Sequence, residues 1–363
     1  MNTRLSPLVS VNLILLLFFL VFGGLYLAAD FLVPLAFAAV LTMLMTPLCK
    51  KLEAWGLPKA LASFACILLL MLCIVGVGAL LSTQIVRISN DLPSIEQRLN
   101  RELGSTQQWV QEKFGLSPEE QKKMMQGNSS SFGSVIGNFL RSFTGLMSNS
   151  ALVLVYLFLL LYYRSRFPTF VMKVVSEHQK EQAREIITES SHVAQQYLLG
   201  RSILIVILGI LYSIGLTVTG LDNALFLALI AALLSIIPYV GNFISVAILL
   251  AMALAQGGGP YLYIGIIAVF AVTQFIESYL LEPYIVGAEV DIHPFFTVVI
   301  IIIGELIWGV AGMILAIPLL GMVKIVFSHI EALEPYAYLI GDTRDEDKGH
   351  TSKKVKDWFG FSS

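Results

Sequence analysis

The chain has 363 residues, of which 56% are hydrophobic and 13% charged, with a formal net charge of -2 and a mean hydropathy of +0.79. Soluble domains carry about 25% charged residues, so the composition excludes an ordinary soluble domain and indicates an all-α polytopic membrane protein. The near-neutral charge gives no reason to expect nucleic acid. The three cysteines, with no CxxC, HExxH or Cys/His cluster, point to neither a disulfide framework nor a zinc site.

A helix needs about 20 apolar residues to cross a bilayer. Eight segments qualify in chain order: Val9 to Ala29, Phe31 to Leu48, Ala60 to Leu81, Leu146 to Tyr163, Ile203 to Thr219, Ala224 to Ala255, Tyr261 to Leu281 and Phe295 to Phe327. The first is too long for a signal-peptide core and a second span follows at once, so it reads as an uncleaved span. The sixth and eighth exceed one crossing. Each is either a long tilted helix or two half-length segments forming a discontinuous hairpin.

Between Gln84 and Gly145 lies a long helical loop. Leu92, Ile95, Leu99 and Leu103 form one apolar stripe, Ser117-Pro118-Glu119-Glu120 reads as a helix start, and Gly127 to Ser131 is a polar linker. Pro168 to Gly200 is amphipathic, with Ala183, Ile186, Ile187, Val193, Ala194, Tyr197 and Leu198 on one face and Lys180, Glu181, Arg184, Glu185 and Glu189 on the other. His178 and His192 stand on a polar background and read as a solvated face rather than a metal site. Asp342 to Ser363 is a charged tail with disordered composition.

Lys and Arg set the orientation. Arg4, then Lys50, Lys51 and Lys59, then Arg164, Arg166, Lys173, Lys180, Arg184 and Arg201, then Lys324 and the basic tail fall on one side. The short loops at Asp30, at Asp222 and from Glu282 to His293 carry acids and no Lys or Arg, and are assigned to the other side. The positive-inside rule makes both termini cytoplasmic. The seven basic residues of the long loop do not object, because long loops translocate largely regardless of charge.

The most informative feature is the uncharged run Ala224 to Ala255, broken at Pro238-Tyr239-Val240-Gly241. Irregular backbone at membrane depth is tolerated only where protein or a water-filled cavity covers it, so the break reads either as a packing kink or as a pointer to a transport site. Ser235, Asn242 and Ser245 supply hydrogen-bonding groups around it. Gln274, Glu277 and Ser278 share a helix face, as a polar path or as interhelical glue. Glu282-Pro283 is expected to end that helix, with Gly287 in the loop beyond. Glu305, followed by Gly309 and Gly312, interrupts the last segment. An acid at a helix centre costs about 3 kcal/mol and each Leu, Ile or Val returns about 0.3–0.6 kcal/mol, so insertion alone does not assign it a function. It either faces a path or, in a hairpin, reaches the interface near the tip. Asp291 and His293 read as surface residues, with a protonatable or cation-binding role as the alternative. Ile317-Pro318-Leu319 echoes Ile237-Pro238-Tyr239, as if both long segments were interrupted at proline.

Three runs, IPYVGNFISV from Ile237, ESYLLEPYIVG from Glu277 and GVAGMILAIPL from Gly309, together resemble the autoinducer-2 exporter (AI-2E) family of bacterial membrane transporters. The opening spans with Pro34 and Pro47, the helical loop after span three and the amphipathic stretch fit the same family. The resemblance covers the chain to about Val326; the charged tail and Glu305 are not part of it. It implies an inner-membrane transporter with discontinuous hairpins, working as a homo-oligomer, a pentamer, by an elevator-like movement.

On that basis the chain divides into an N-terminal three-span region (1–81), an external loop (82–145), a fourth span (146–163), a cytoplasmic amphipathic segment (164–202), a transport core with broken helices (203–328) and a tail (329–363). The expected function is secondary export of a small polar solute such as autoinducer-2, without a cofactor; no GxxxxGK[ST] fingerprint implies ATP coupling. Ser235, Pro238, Gly241, Asn242, Gln274, Glu277, Ser278, Glu282 and Glu305 line the path, with Pro238, Gly241, Pro283, Gly287, Gly309, Gly312 and Pro318 as hinge or hairpin positions. Sodium or other cation/proton antiport through Glu277, Glu305 or Asp291 is the alternative. A non-transporting scaffold or receptor built on the external loop is the reading from a different class. No hydrolase motif marks an enzyme.

Overall fold

The computed structural model describes residues 7–76, 78–79, 101, 151–237, 239–286 and 291–342. The long loop's apolar stripe and helix start, the tail beyond Asp342, and Pro238 and Gly287 lie outside the described residues. Among the described residues, every regular element is helical. They are α1 Pro7–Leu27, α2 Ala29–Ala54, α3 Lys59–Gly76, α4 Ala151–Tyr162, α5 Arg166–Val174, α6 Lys180–Thr219, α7 Ala224–Leu234, α8 Val240–Ala255, α9 Pro260–Ile276, α10 Pro294–Ser328 and α11 Glu334–Ile340. Among the described residues, five helices are by length and composition alone long and apolar enough to cross a membrane: α2, α3, α6, α9 with its extension to Glu282, and α10. A 64° bend separates α4 from α5.

Local sequence explains several boundaries. Pro260 opens α9 and Pro294 opens α10, positions where a missing N–H costs nothing. The His293 ring accepts a hydrogen bond from the Phe295 N–H and caps α10. Gly200 does not interrupt α6, so the amphipathic stretch and the fifth span are one helix of 40 residues. Its inward stripe runs through Ala194, Tyr197, Arg201, Leu204, Leu208, Tyr212 and Leu216, all buried at the three-to-four-residue spacing of one helix face.

Glu282-Pro283 does not end α9. The chain instead widens into a π-helical segment, Glu277–Val286. A proline in an α-helix clashes with the carbonyl four residues back; local π adjustments re-satisfy the freed groups without stopping the helix.

The residues fall into two compact units. One is drawn from Met1–Cys66, Leu152–Leu199 and Ala288–Ser363, the other from Ile67–Ala151 and Gly200–Gly287. In the first, α10 packs on α1, α2 and α11. Glu53 at the end of α2 pairs with Arg164 after α4 at 2.5 Å. His329, after α10, lies 3.7 Å from Glu189 and 4.0 Å from Glu185 on α6, and its carbonyl accepts from Gln182.

In the second unit the core is built from the latter half of α6 with α7, α8 and α9, around Leu208, Tyr212, Leu216, Leu227, Leu249 and Ile266. α6 and α9 run antiparallel. Tyr212 stacks on Phe270 with ring centres 6.2 Å apart, Gly215 faces Val269, and Gly265 faces Thr219. Small residues at such seams let helices approach closely where lipid gives no hydrophobic drive.

Candidate functional site

Both over-long segments are helical hairpins. In the first, Ser245 Oγ donates to the Ala231 carbonyl at 3.3 Å, and a side chain on Gly241 would run into the Leu234 carbonyl. At the open end the Gln256 side chain accepts from the Asp222 N–H at 2.9 Å and donates to the Gly220 carbonyl at 3.1 Å. Residues that approach each other therefore move apart in sequence away from the tip, as in an antiparallel pair. The arms, α7 of 11 residues and α8 of 16, reach only about 17 and 24 Å at 1.5 Å per residue. A bilayer core is about 30 Å thick, so neither arm crosses it alone.

The second hairpin is α10. As a straight rod it would hold Asp291 and Lys324 nearly 50 Å apart at about 1.5 Å per residue, yet Lys324 Nζ lies 2.5 Å from Asp291 Oδ2. The reversal is at Gly309, whose φ of 59° and ψ of -142° suit glycine alone among the residue types. Gly304 and Gly312 pack backbone to backbone just below it. Pro318, expected to mark the interruption, sits buried inside the returning arm. A proline kinks a helix; a full reversal needs the positive φ that Gly309 supplies.

The same ion pair corrects the orientation of one loop. Asp291 belongs to the Glu282–His293 stretch assigned to the side opposite Lys324, and their contact puts them on one side. A hairpin returns the chain to the face it left, so counting it as a crossing inverted that loop. Asp291 is the ion-pair partner of Lys324, and His293 is a helix cap whose N–H also donates to the Ile340 carbonyl at 2.9 Å.

The polar residues of the second unit converge at the first hairpin's tip. Asn242 Nδ2 donates to Gln274 Oε1 at 2.8 Å, and Gln274 Nε2 donates to Ser278 Oγ at 3.2 Å. The two polar groups read separately from the sequence are thus one chain of side chains linking α8 to α9. Glu277 is only 2% exposed. Its Oε1 lies 3.7 Å from Arg201 Nη1, and Arg201 Nη2 donates to the Ser235 carbonyl at the end of α7. Ser235 Oγ turns back onto the Ala232 carbonyl at 2.6 Å. Arg201 Nε, the Tyr212 hydroxyl and Glu277 Oε2 are buried and make no hydrogen bond within the described residues. Such atoms each cost about 1–3 kcal/mol when left unpaired. Tyr239 at the tip has a φ of 62° and ψ of -60°, an uncommon conformation for a non-glycine residue.

Arg201 was counted from sequence as one more cation of a cytoplasmic loop. The signal that places it inside was the α6 stripe, in which position 201 falls between Tyr197 and Leu204. Glu282 is exposed on the π segment, and Glu305 is exposed one residue beyond Gly304, at the tip of the second hairpin and in the other unit.

A polytopic helical membrane protein with two helical hairpins, one gathering buried charged groups and half-buried amides at its tip, has the construction of a transporter. The chain belongs to the AI-2E transporter family: the family model described as "AI-2E family transporter" matches residues 13–332. It is 26% identical over 318 residues to "Putative transport protein YueF" of Bacillus subtilis, covering 83% of this chain and 84% of that one. It is 20% identical over 348 residues to "AI-2 transport protein TqsA" of Escherichia coli K12, covering 94% of this chain and 99% of that one. Membership of a transporter family points away from an enzyme.

Proposed function

We propose that this transporter is a secondary exporter of a small polar solute, with autoinducer-2 as the candidate because TqsA is described as its transport protein. The solute site is the tip of the first hairpin, lined by Ser235, Gly241, Asn242, Gln274, Glu277 and Ser278. The observation that carries this reading is the convergence of a broken helix with a buried, partly unpaired charge pair and half-buried amides. Hairpin backbone and amides offer both donors and acceptors, which suits a hydroxylated solute. Movement is elevator-like, in a homo-oligomer of the bacterial inner membrane with both termini cytoplasmic. The test is extracellular autoinducer-2 in a deletion strain complemented with the intact gene or with Asn242→Ala. Export restored by the first and lost with the second supports the proposal; unchanged signal in the deletion strain overturns the solute assignment.

A second reading has its own observation. A buried Glu277 whose Oε2 makes no well-formed hydrogen bond within the described residues suits a carboxylate that exchanges a proton for a cation. Sodium-dependent proton movement in proteoliposomes, lost in Glu277→Gln, favours antiport over solute export.

A further inference from the structure

We propose that Arg201 is a positioning residue of the transport site, a two-ended clasp tying the tip of the first hairpin to the Glu277 carboxylate. This rests on the reading that the first hairpin forms the site. One end is a hydrogen bond: Nη2 donates to the carbonyl of Ser235, the residue that caps the C-terminus of α7, where carbonyls lack intrahelical donors and carry the negative end of the helix dipole. The other end is loose: Nη1 stands 3.7 Å from Glu277 Oε1, beyond the 2.7–3.2 Å of a hydrogen bond. Glu277 therefore balances the charge of Arg201 without being locked by it, and its second oxygen meets no partner at hydrogen-bond geometry among the described residues, although the Gln274 and Asn242 amides stand beside the carboxylate. A ligand drawing on that oxygen pulls the carboxylate from Nη1. Arg201, 5% exposed, is then less compensated in a place where charge is costly, and depends the more on the Ser235 carbonyl at the hairpin tip. Occupancy at Glu277 is thereby transmitted to the hairpin tip.

The geometry demands arginine. A planar fork serves two acceptors at fixed angles, whereas an ammonium is a point charge on a flexible stem. Lysine at 201 would keep the charge balance and lose the clasp, which separates a positioning role from simple compensation.

The test uses the full chain with Cys73→Ser, because Cys73 is the exposed cysteine while Cys49 and Cys66 are buried. Ile237→Cys places a reporter at the tip, where the side chain is 6% exposed. The reaction rate of purified protein with a maleimide is compared with and without Arg201→Lys, alongside autoinducer-2 flux in proteoliposomes. The expected result is labelling about tenfold faster in Arg201→Lys, the scale of one lost charged hydrogen bond, with reduced flux. If Arg201→Lys does not fold, the charge-neutral pair Arg201→Gln with Glu277→Gln is expected to show the same acceleration. Unchanged labelling overturns the clasp, even where flux falls and the site assignment stands. Faster labelling with undiminished flux overturns the placement of transport at this hairpin.

Discussion

The two hairpins solve the same problem with opposite distributions of charge. The first keeps its ionic groups at the tip, where Arg201 and Glu277 are buried, and closes its open end with the neutral amide of Gln256. The second puts its ion pair at the open end, Asp291 with Lys324, and closes its tip on glycine backbone at Gly304, Gly309 and Gly312. Partly exposed ion pairs are cheap and ordinary, whereas buried ones carry a desolvation penalty that packing does not require. The second hairpin is thus explicable as architecture alone. The first contains groups that architecture does not need, which is why we propose the solute site there.

The largest expected effect tests that asymmetry. Glu277→Leu leaves the Arg201 charge buried alone and is expected to destabilise the protein by about 3–5 kcal/mol, read as thermal unfolding in detergent. Adding Arg201→Met should recover much of the loss. Glu305→Leu, at the exposed tip of the other hairpin, should change stability by less than about 0.5 kcal/mol. Equal losses from the two acids would erase the distinction between the tips.

Next in size are the glycines. A side chain at Gly241, Gly304 or Gly312 meets backbone of the opposing arm, which cannot swing away as a flexible side chain can. Alanine there is expected to cost about 1–3 kcal/mol, the range for overpacking. At Gly309 a Cβ meets nothing within 4 Å, so Gly309→Ala carries only the cost of a backbone conformation reserved for glycine, about 1–3 kcal/mol. Gly304→Ala and Gly309→Ala should therefore lower the melting temperature by comparable amounts; a loss at Gly309 well above that at Gly304 would mean that the turn, not the close approach, holds the second hairpin.

The sequence made some of this legible and not the rest, for physical reasons. Apolar run lengths and the Pro/Gly break are local signals, and they marked both over-long segments, as tilted helices or hairpins, and the shared face of Gln274 and Ser278. Reversal within α10 is fixed by one φ value at Gly309, which composition does not reveal beside the more conspicuous Pro318. The misassigned side of Asp291 came from a rule that alternates sides with every apolar segment, which fails when a segment returns. Arg201 was hidden because a charge at the end of an apolar run normally marks the interface. Only the stripe from Ala194 to Leu216 shows it facing inward. Its partners on α7 and the π segment are distant in sequence.

The smallest expected effects come from the ion pairs outside the tips, and they sharpen what an architectural pair looks like. Lys324→Met should cost about 1 kcal/mol or less, far below Glu277→Leu, and a larger loss would assign the open end of the second hairpin a role beyond clipping. Glu53 and Arg164 give a companion measurement by pH. Glu53 lies past the apolar run of α2, which ends at Leu48, and the hydrogen bond from Arg164 holds its carboxyl below the usual glutamate value. A carboxyl depressed on folding binds fewer protons than in the unfolded chain, so its stabilisation is complete above the unfolded value of about 4.3 and is lost as pH falls through the lowered folded one. In Arg164→Gln that contribution to acid sensitivity should disappear, so the melting temperature should fall less steeply from pH 5 downward than in the unmodified protein. A parallel fall in both would mean that the pair contributes nothing to folding, as many exposed pairs do, and that Asp291 with Lys324 needs its own measurement before it is called structural.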